Sequence, residues 1–240
     1  MFNMRKCSRK LIHKSKILSR ILNSINRKFQ LRLLSFYKDK DVVDLIKSIH
    51  NSGVAALFPF EAFHVYSIVR SQSKLEGDMA EVGVYQGGSA KLICETKGKN
   101  ILHLFDTFEG LPEVSDIDTT FGEKTWTTGQ FNNTSLESVK NYLRNYPNVH
   151  LYKGTFLDTA TNIIEKKFSF VHLDVDLYQS TKDCLEFFYP RLVIGGVILT
   201  HDYHSDGVNR AFKEFTENKN VHLIELIGPQ CMIIKINSHS

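Results

Sequence analysis

The sequence contains few cysteines and no long apolar run. Its 240 residues include four cysteines, at positions 7, 94, 184 and 231, and no two of them have Cys-x-x-Cys spacing. The spacing excludes the common zinc and dithiol motifs, and the apolar neighbours of Cys94, Cys184 and Cys231 are typical of buried thiols in a reducing compartment. The longest apolar stretches, such as Leu192–Leu199, are far shorter than the roughly 20 residues of a membrane-spanning helix. We therefore predict a cytoplasmic protein without a transmembrane segment.

Several motifs of common enzyme classes are also absent. Gly-x-Ser-x-Gly does not occur, and no Ser/His/Asp or Cys/His arrangement indicates a hydrolase. The glycines after the first predicted strand have the spacing Gly83-x-x-x-Gly87-Gly88, without a following lysine. This pattern is neither the dinucleotide fingerprint nor a phosphate-binding loop. The basic N-terminus lacks the apolar core of a secretory signal.

The composition is that of a globular protein, but its charge is divided unevenly. Hydrophobic residues make up 42% and charged residues 23% of the chain. Residues 1–40 hold 12 Lys and Arg and a single acid, a net charge of +11, whereas residues 41–240 hold 18 bases and 25 acids, a net charge of −7. This distribution indicates an acidic body with a basic arm. The excess of acids in the body argues against a nucleic-acid partner.

The basic arm contains an amphipathic pattern over residues 11–34. The apolar residues at helical spacing are Leu11, Leu18, Leu22, Ile25 and Phe29. A basic amphipathic helix can bind the anionic inner surface of a membrane. The more common role of such a helix is to pack on its own domain or on a second subunit of a homo-oligomer.

From about residue 75 to 240, strands alternate with helices, which indicates one α/β domain with a parallel sheet. Residues 1–74, with the arm and helices at 41–50 and 59–71, form an extension in front of it. Strands are predicted at 79–85, 101–105, 149–152, 168–173 and 193–200, with helices at 88–96, 134–146, 181–189 and 208–216. The last two strands, 221–227 and 231–236, are joined by a short turn and must be antiparallel.

Two local features stand out between the second and third strands. Thr134 and Glu137 have the spacing of a capping box that opens the following helix. Residues 108–133 are polar and aperiodic, and loops of this length are usually functional or disordered. This loop holds Trp126, the only tryptophan, so it is predicted either to cover the site as a lid or to be a surface loop with an aromatic anchor.

The first two strands deliver residues that suit a nucleoside-containing cofactor. Glu81 precedes Gly83 and Gly87, and an acid at this loop suits a ligand with an ammonium group. Asp106 ends the second strand, 23 residues after Gly83, where a carboxylate can accept two hydrogen bonds from a ribose diol. The alternatives are a plain strand-to-helix turn and an aspartate that caps the next turn.

Four further side chains follow the fourth and fifth strands. Asp174 and Asp176 lie on one side if the strand extends through them, and His201 and Asp202 follow one strand–helix–strand step later. Carboxylate oxygens suit Mg²⁺, Ca²⁺ or Mn²⁺, whereas the imidazole favours a transition metal. Each residue alone could be a strand-end cap. Together they predict a site at the carboxyl edge of the sheet.

The ordered motifs resemble the macrocin O-methyltransferase family. They are Glu81–Ser89, Phe105–Pro112, Ser135–Val139, Gly154–Thr159, Leu173–Thr181 and His201–Tyr203. The resemblance implies metal-assisted methylation of sugar hydroxyls with S-adenosylmethionine. It also implies a Rossmann-like class I methyltransferase fold, with seven strands in the order 3-2-1-4-5-7-6 and the last one reversed.

The resemblance also assigns roles to individual residues. The cofactor contacts would be Glu81, Gly83, Gly87 and Ser89 around the methionine part, Asp106 at the ribose, and Ser135, Thr155 and Phe156 near the adenine. Tyr85 and Thr107 would be further cofactor-binding residues. Asp174, His201 and Asp202 match metal-ligand positions. Asp174 and Asp176 match the catalytic positions, and the position of Asp176 is that of a general base. His201 stands where the antibiotic-modifying members carry an aspartate. Mg²⁺ is therefore the expected metal, with Mn²⁺ or another transition metal as the alternative.

The acceptor predicted in this way is a hydroxyl of a glycan, nucleotide sugar or glycosylated small molecule. Two other functions stay open on the sequence. One is a catechol-type O-methyltransferase, which uses the same metal chemistry on an aromatic diol. The other is a cofactor-binding scaffold without catalysis, against which Asp174, Asp176 and Asp202 argue.

Overall fold

The central sheet contains seven strands within the residues that the structure, a computed structural model, describes: 16–54, 57–219 and 221–236. The strands are β1 Asp78–Val82, β2 Leu102–Asp106, β3 Val149–Lys153, β4 Phe168–Leu173, β5 Leu192–Thr200, β6 Leu223–Glu225 and β7 Cys231–Ile234. Their order is β3-β2-β1-β4-β5-β7-β6. The pairs from β3 to β5 are parallel, and β7 is antiparallel to both neighbours. The predicted strand order is confirmed.

Helices cover both faces of this sheet. They are α1 Lys16–Tyr37, α2 Lys40–Asn51, α3 Pro59–Gln72, α4 Gly88–Thr96, α5 Leu136–Tyr142, α6 Phe156–Thr159, α7 Tyr178–Phe188 and α8 Asp206–Lys219. Two 3₁₀ turns, Ala160–Ile163 and Tyr189–Arg191, follow α6 and α7. Helix α7 begins three residues before its predicted start, and α5 ends at Tyr142 rather than 146.

The capping box of α5 differs from the prediction. Ser135 is the N-cap, its hydroxyl accepts a hydrogen bond from the Ser138 amide, and the Ser138 side chain accepts one from the Ser135 amide. Thr134 is not the cap, because its hydroxyl donates to the carbonyl oxygen of Tyr85. The prediction of a Thr134–Glu137 box was therefore wrong by one residue.

Two hydrophobic clusters lie on opposite faces of the sheet. One joins α2, α3 and α4 to it through residues such as Ile46, Val65 and Ile93. The other is rich in aromatic rings, including Phe188 of α7 and Phe212 of α8. Burying one such side chain stabilises the fold by about 1.5–3 kcal/mol. Helices α2 and α3, which belong to the predicted extension, thus share the core of the sheet.

The three described cysteines, Cys94, Cys184 and Cys231, are all buried free thiols, as predicted. Burial raises the pKa of the Cys94 thiol to about 12. Cys7 lies outside the described residues. Inert buried thiols of this kind contribute to packing rather than to chemistry.

Helix α1 confirms the predicted amphipathic helix from residue 16 onward, while residues 11–15 lie outside the described part. Its C-terminal half packs on the domain through Leu34, which is buried, and Leu31. Ile21, Leu22, Ile25 and Phe29 are exposed by 38–59%. Among the described helices, none has the length and apolarity to cross a bilayer.

Candidate active site

The loop between β1 and α4 approaches the end of β4 very closely. Gly83 has a φ of +86°, and its amide donates to the carbonyl oxygen of Phe105. On the other side, the amide of Asp174 donates to the carbonyl oxygen of Val82 at 2.9 Å. The glycine turn thereby joins the ends of the three central strands into one edge.

Asp106 holds this loop in place. Its Oδ2 accepts hydrogen bonds from the amides of Val84 and Tyr85, both at 2.8 Å, and its Oδ1 accepts one from the amide of Phe108 at 2.6 Å. Asp106 therefore caps the following turn, which is one of the two predicted roles. Asp106 also lines the cavity, and each carboxylate oxygen has more than one lone pair, so a role at a ribose stays a prediction.

A cavity of about 600 Å³ opens at this edge of the sheet. This volume lies in the range of pockets for small ligands. Most of the predicted site residues line it, namely Gly83, Tyr85, Ser89, Asp106, Thr107, Thr155, Phe156, Asp174, Asp176, His201 and Asp202. Gly87, Glu81 and Ser135 are not among the lining residues. Gly87 forms the left-handed N-cap of α4, and Ser135 caps α5.

Glu81 is fully buried within the sheet and faces His172 on β4. Its Oε1 lies 2.8 Å from Nδ1 of His172, whereas its Oε2 has no hydrogen-bond partner among the described residues. Burial raises the pKa of Glu81, and His172 and Ser89 oppose that shift. An unsatisfied buried acceptor is costly, so a donor group that reached the second oxygen would be stabilising.

Asp174, His201 and Asp202 converge at the ends of β4 and β5. Nδ1 of His201 lies 3.1 Å from Oδ1 of Asp174 and 3.2 Å from Oδ1 of Asp202. The three ligand atoms are within 4.8 Å of one another. Oδ2 of Asp202 is buried without a partner in the described part of the chain. The donor set and the unsatisfied oxygen fit a divalent cation.

The electrostatics of this cluster are strongly coupled. Burial, together with the neighbouring carboxylates, raises the pKa of Asp176 well above its usual range. Burial disfavours the charged form of His201, but Asp174 and Asp202 outweigh it and raise the pKa of His201 well above its usual value. Burial likewise opposes ionisation of Asp202, yet His201 holds the pKa of Asp202 below its usual range. The cluster therefore concentrates negative charge, which either the protonated His201 or a divalent ion can balance.

Asp176 reaches the cavity by a route that strand alternation does not predict. Strand β4 ends at Leu173, and Asp176 has a φ of +61° in the turn that leads into α7. The strand ends where it was predicted to end and does not extend through both aspartates, so the condition for placing them by strand alternation is not met. A tight turn stabilised by a hydrogen bond from the Leu177 amide to the Val175 carbonyl places Asp176 beside Asp174 instead.

The long loop over residues 108–133 is ordered above the cavity. Oδ2 of the buried Asp118 accepts hydrogen bonds from the amide and hydroxyl of Ser115, and its Oδ1 accepts one from the amide of Tyr178 at 2.7 Å. A small hairpin, Thr119–Thr120 with Glu123–Lys124, continues the loop. Trp126 and Phe131 line the cavity. The loop thus forms part of the cavity wall and is held by Asp118, and its action as a lid stays a prediction.

Glu61 is a site residue that sequence reasoning missed. It lies at the third position of α3, in the predicted extension, where no site residue was predicted, and its Oε2 is 3.2 Å from Nε2 of His201. Val54 and Leu57, from the segment before α3, line the cavity as well. The only local signal was the helix start Pro59-Phe-Glu61, which indicates a cap and not a contact with β5.

The fold and the site define a class I, Rossmann-like methyltransferase. The structure resembles that of a calicheamicin methyltransferase with a TM-score of 0.64, at 18% sequence identity, over 92% of this chain and 93% of the other. The macrocin-O-methyltransferase (TylF) family matches residues 64–231. The chain therefore belongs to the macrocin O-methyltransferase family.

Two curated relatives come from Streptomyces. One is the 8-demethyl-8-(2,3-dimethoxy-alpha-L-rhamnosyl)-tetracenomycin-C 4′-O-methyltransferase of Streptomyces olivaceus, 30% identical over 58% of each chain. The other is the demethyldecarbamoylnovobiocin O-methyltransferase of Streptomyces niveus, 29% identical over 55% of this chain and 54% of the relative. The chain thus spans a little over half the length of the curated relatives that it matches.

Proposed function

We propose that this protein transfers a methyl group from S-adenosylmethionine to a hydroxyl of a sugar in a glycan, nucleotide sugar or glycosylated metabolite. One observation carries the proposal. One cavity is lined both by Gly83, Ser89 and Asp106 and by Asp174, Asp176, His201 and Asp202. Family membership and the names of the curated relatives support a sugar hydroxyl as the acceptor.

The cofactor would occupy the wall formed by β1, β2 and the loop after β3. S-adenosylmethionine supplies a methyl group activated on a sulfonium. Ser89, at the start of α4, would contact its methionine part, and Oε2 of Glu81 is a buried acceptor that would suit its ammonium group. Asp106 and Thr107 would hold the ribose, and Thr155 and Phe156 would approach the adenine, because all four line the cavity.

The acceptor hydroxyl would meet the carboxylates that follow β4 and β5. A divalent ion held by Asp174, His201 and Asp202 would lower the pKa of the hydroxyl; we propose Mg²⁺, with Mn²⁺ as the alternative that the imidazole favours. Asp176 would accept the hydroxyl proton, because it lines the same cavity and a carboxylate in a dry site is a suitable base. Trp126 and the rest of the lid would exclude water and hold the acceptor.

The experiment combines calorimetry with activity on matched acceptors. Calorimetry with S-adenosylmethionine and its demethylated product tests cofactor binding, and sugars, nucleotide sugars and catechols are then compared by mass spectrometry for the gain of one methylene. Transfer to sugars supports the proposal. Transfer to catechols alone would replace it with the catechol-type activity, and binding without any transfer would favour a scaffold. No cofactor binding would overturn it.

The place of action follows from two further features. The buried free thiols Cys94, Cys184 and Cys231 suit the reducing cytoplasm. On α1, the exposed Ile21, Leu22, Ile25 and Phe29 lie in a helix that has basic but no acidic residues. We propose that this face touches an anionic membrane surface, since apolar burial and charge attraction act together there.

A further inference from the structure

Glu61 is held in a fixed orientation by its own helix and by the end of the sheet. Its Oε2 accepts a hydrogen bond from the amide of Phe58 at 2.7 Å, as the third residue of a capping box does. One turn later on the same face of α3, Nδ1 of His64 lies 2.7 Å from Oε1 of the buried Gln230. This contact docks α3 beside the β6–β7 turn and places Glu61, which is 5% exposed, against the end of β5.

The same oxygen of Glu61 faces one nitrogen of His201, while the other nitrogen faces the aspartates. Nε2 of His201 lies 3.2 Å from Oε2 of Glu61, and Nδ1 lies 3.1 Å from Asp174 and 3.2 Å from Asp202. A carboxylate accepts hydrogen bonds and does not donate them, so both ring nitrogens of His201 face acceptors. A divalent ion between Asp174 and Asp202 would replace the proton on Nδ1, and Glu61 would then hold the remaining proton on Nε2.

From this arrangement we infer that Glu61 is a positioning residue that makes Nδ1 of His201 a metal ligand. A carboxylate that accepts the second N–H of a metal-binding histidine fixes its tautomer and raises its basicity. Glu61 meets this description from a helix outside the predicted methyltransferase domain. Position 201 holds a histidine where the antibiotic-modifying members carry an aspartate. A neutral imidazole offers a metal only one lone pair, which must point at the ion, and Glu61 would fix that direction. The inference rests on the metal in the proposed function.

The test measures metal binding rather than turnover. The full chain is titrated with Mn²⁺, the affinity is followed by electron paramagnetic resonance of the free ion, and pulsed spectra report whether an imidazole nitrogen is coordinated. In the wild type we expect nitrogen coupling that is absent from His201→Ala. In Glu61→Ala we expect a 10- to 100-fold weaker affinity and loss or weakening of the nitrogen signal.

The conservative variant Glu61→Gln separates positioning from folding. The Phe58 amide requires an acceptor, so the amide oxygen of the substituted side chain should face it and can also accept from Nε2 of His201. The Mn²⁺ affinity of this variant should therefore lie between those of the wild type and Glu61→Ala. Glu76→Ala, an exposed acid after α3, is the matched control and should bind like the wild type. If Glu61→Ala does not fold, the Mn²⁺ affinity and the nitrogen signal of Glu61→Gln test the inference instead.

Three results would overturn the inference. Wild-type affinity and an unchanged nitrogen signal in the folded Glu61 variants would remove Glu61 from the site but leave the proposed metal in place. Mn²⁺ bound without nitrogen coupling would show that His201 is no ligand. A wild-type chain that binds no Mn²⁺ would overturn both this inference and the metal part of the proposed function, while cofactor binding would still test the rest.

Discussion

A β-carbon on residue 83 would lie 1.8 Å from the carbonyl oxygen of Asp174. Gly83 follows β1 and Asp174 follows β4. Because a β-carbon cannot approach a backbone oxygen so closely, glycine at 83 allows the two strand ends to meet. The close approach at this edge of the cavity thus depends on a missing side chain.

Gly83→Ala should therefore damage both the fold and cofactor binding. The added carbon must displace β1 or β4, and the positive φ of +86° adds strain of about 1–2 kcal/mol. We expect unfolding free energy to fall by more than about 3 kcal/mol, since overpacking against backbone cannot relax easily. Gly98→Ala is the control, because Gly98 also has a positive φ but no atom within 4 Å of its β-carbon position. Equal losses in the two variants, measured by urea denaturation, would contradict the argument.

Asp174→Ala should abolish methyl transfer while S-adenosylmethionine still binds. The side chain belongs to the acidic cluster and not to the glycine loop, so cofactor affinity should change less than about threefold, well under 1 kcal/mol. Calorimetry and a coupled transfer assay measure the two effects separately. Asp116→Ala, an exposed acid in the long loop, should leave both unchanged. Turnover that survives in the Asp174 variant after chelator treatment would exclude the metal role.

Asp176→Asn tests the general base without altering the size of the side chain. A positioned base contributes about 10²–10⁴-fold to a rate, so the turnover number should fall within that range. Acceptor and Mn²⁺ affinities should change far less, because Asp176 is outside the convergent metal cluster. An Asn variant with wild-type turnover would assign the proton to another group.

Asp118→Ala should loosen the lid. The buried carboxylate anchors Ser115 and the amide of Tyr178, and each buried donor left unpaired costs about 1–3 kcal/mol. We expect a higher KM for the acceptor and faster proteolysis within residues 108–133, with cofactor affinity largely kept. The exposed Asp116, two residues earlier, again gives the control variant. Unchanged proteolysis would mean that the hairpin contacts of Asp206 with Thr119 and Gly122 suffice to hold the loop.

His50 should make the fold sensitive to mild acid. Burial, with Arg27 nearby, lowers the pKa of His50 from 6.5 to about 4, and neither ring nitrogen has a hydrogen-bond partner in the described chain. Between these values the unfolded chain binds a proton that the folded chain does not, so unfolding free energy rises with pH across this window and falls as pH drops from 6.5 to 4.

The loss attributable to His50 is on the order of 2 kcal/mol once its partial exposure is allowed for. His50→Gln should therefore lose less stability than the wild type between pH 7 and 4.5 in urea denaturation. His222→Gln, at an exposed position, is the matched control and should follow the wild type. Parallel curves for the wild type and His50→Gln would assign the acid sensitivity to other groups.

The sequence by itself determined the alternation of strands and helices, the strand order and most of the cavity wall. These features depend on local patterns: hydrophobic period, glycine turns and acids at strand ends, read together with the order of motifs that carries the family resemblance. The N-cap of α5 was predicted wrongly because two adjacent residues satisfy the same capping preference. Thr134 and Ser135 can both cap a helix, and the contact of Thr134 with Tyr85, 49 residues away, selected Ser135.

The tertiary structure alone decided which distant residues complete the site. Glu61 and His201 are separated by 140 residues, and their contact exists because His64 and Gln230 dock α3 against the β6–β7 turn. Likewise, the turn after β4, with its positive φ at Asp176, brings that aspartate to Asp174 where strand alternation would not. Such contacts depend on how whole elements pack, a property that no short window of sequence contains.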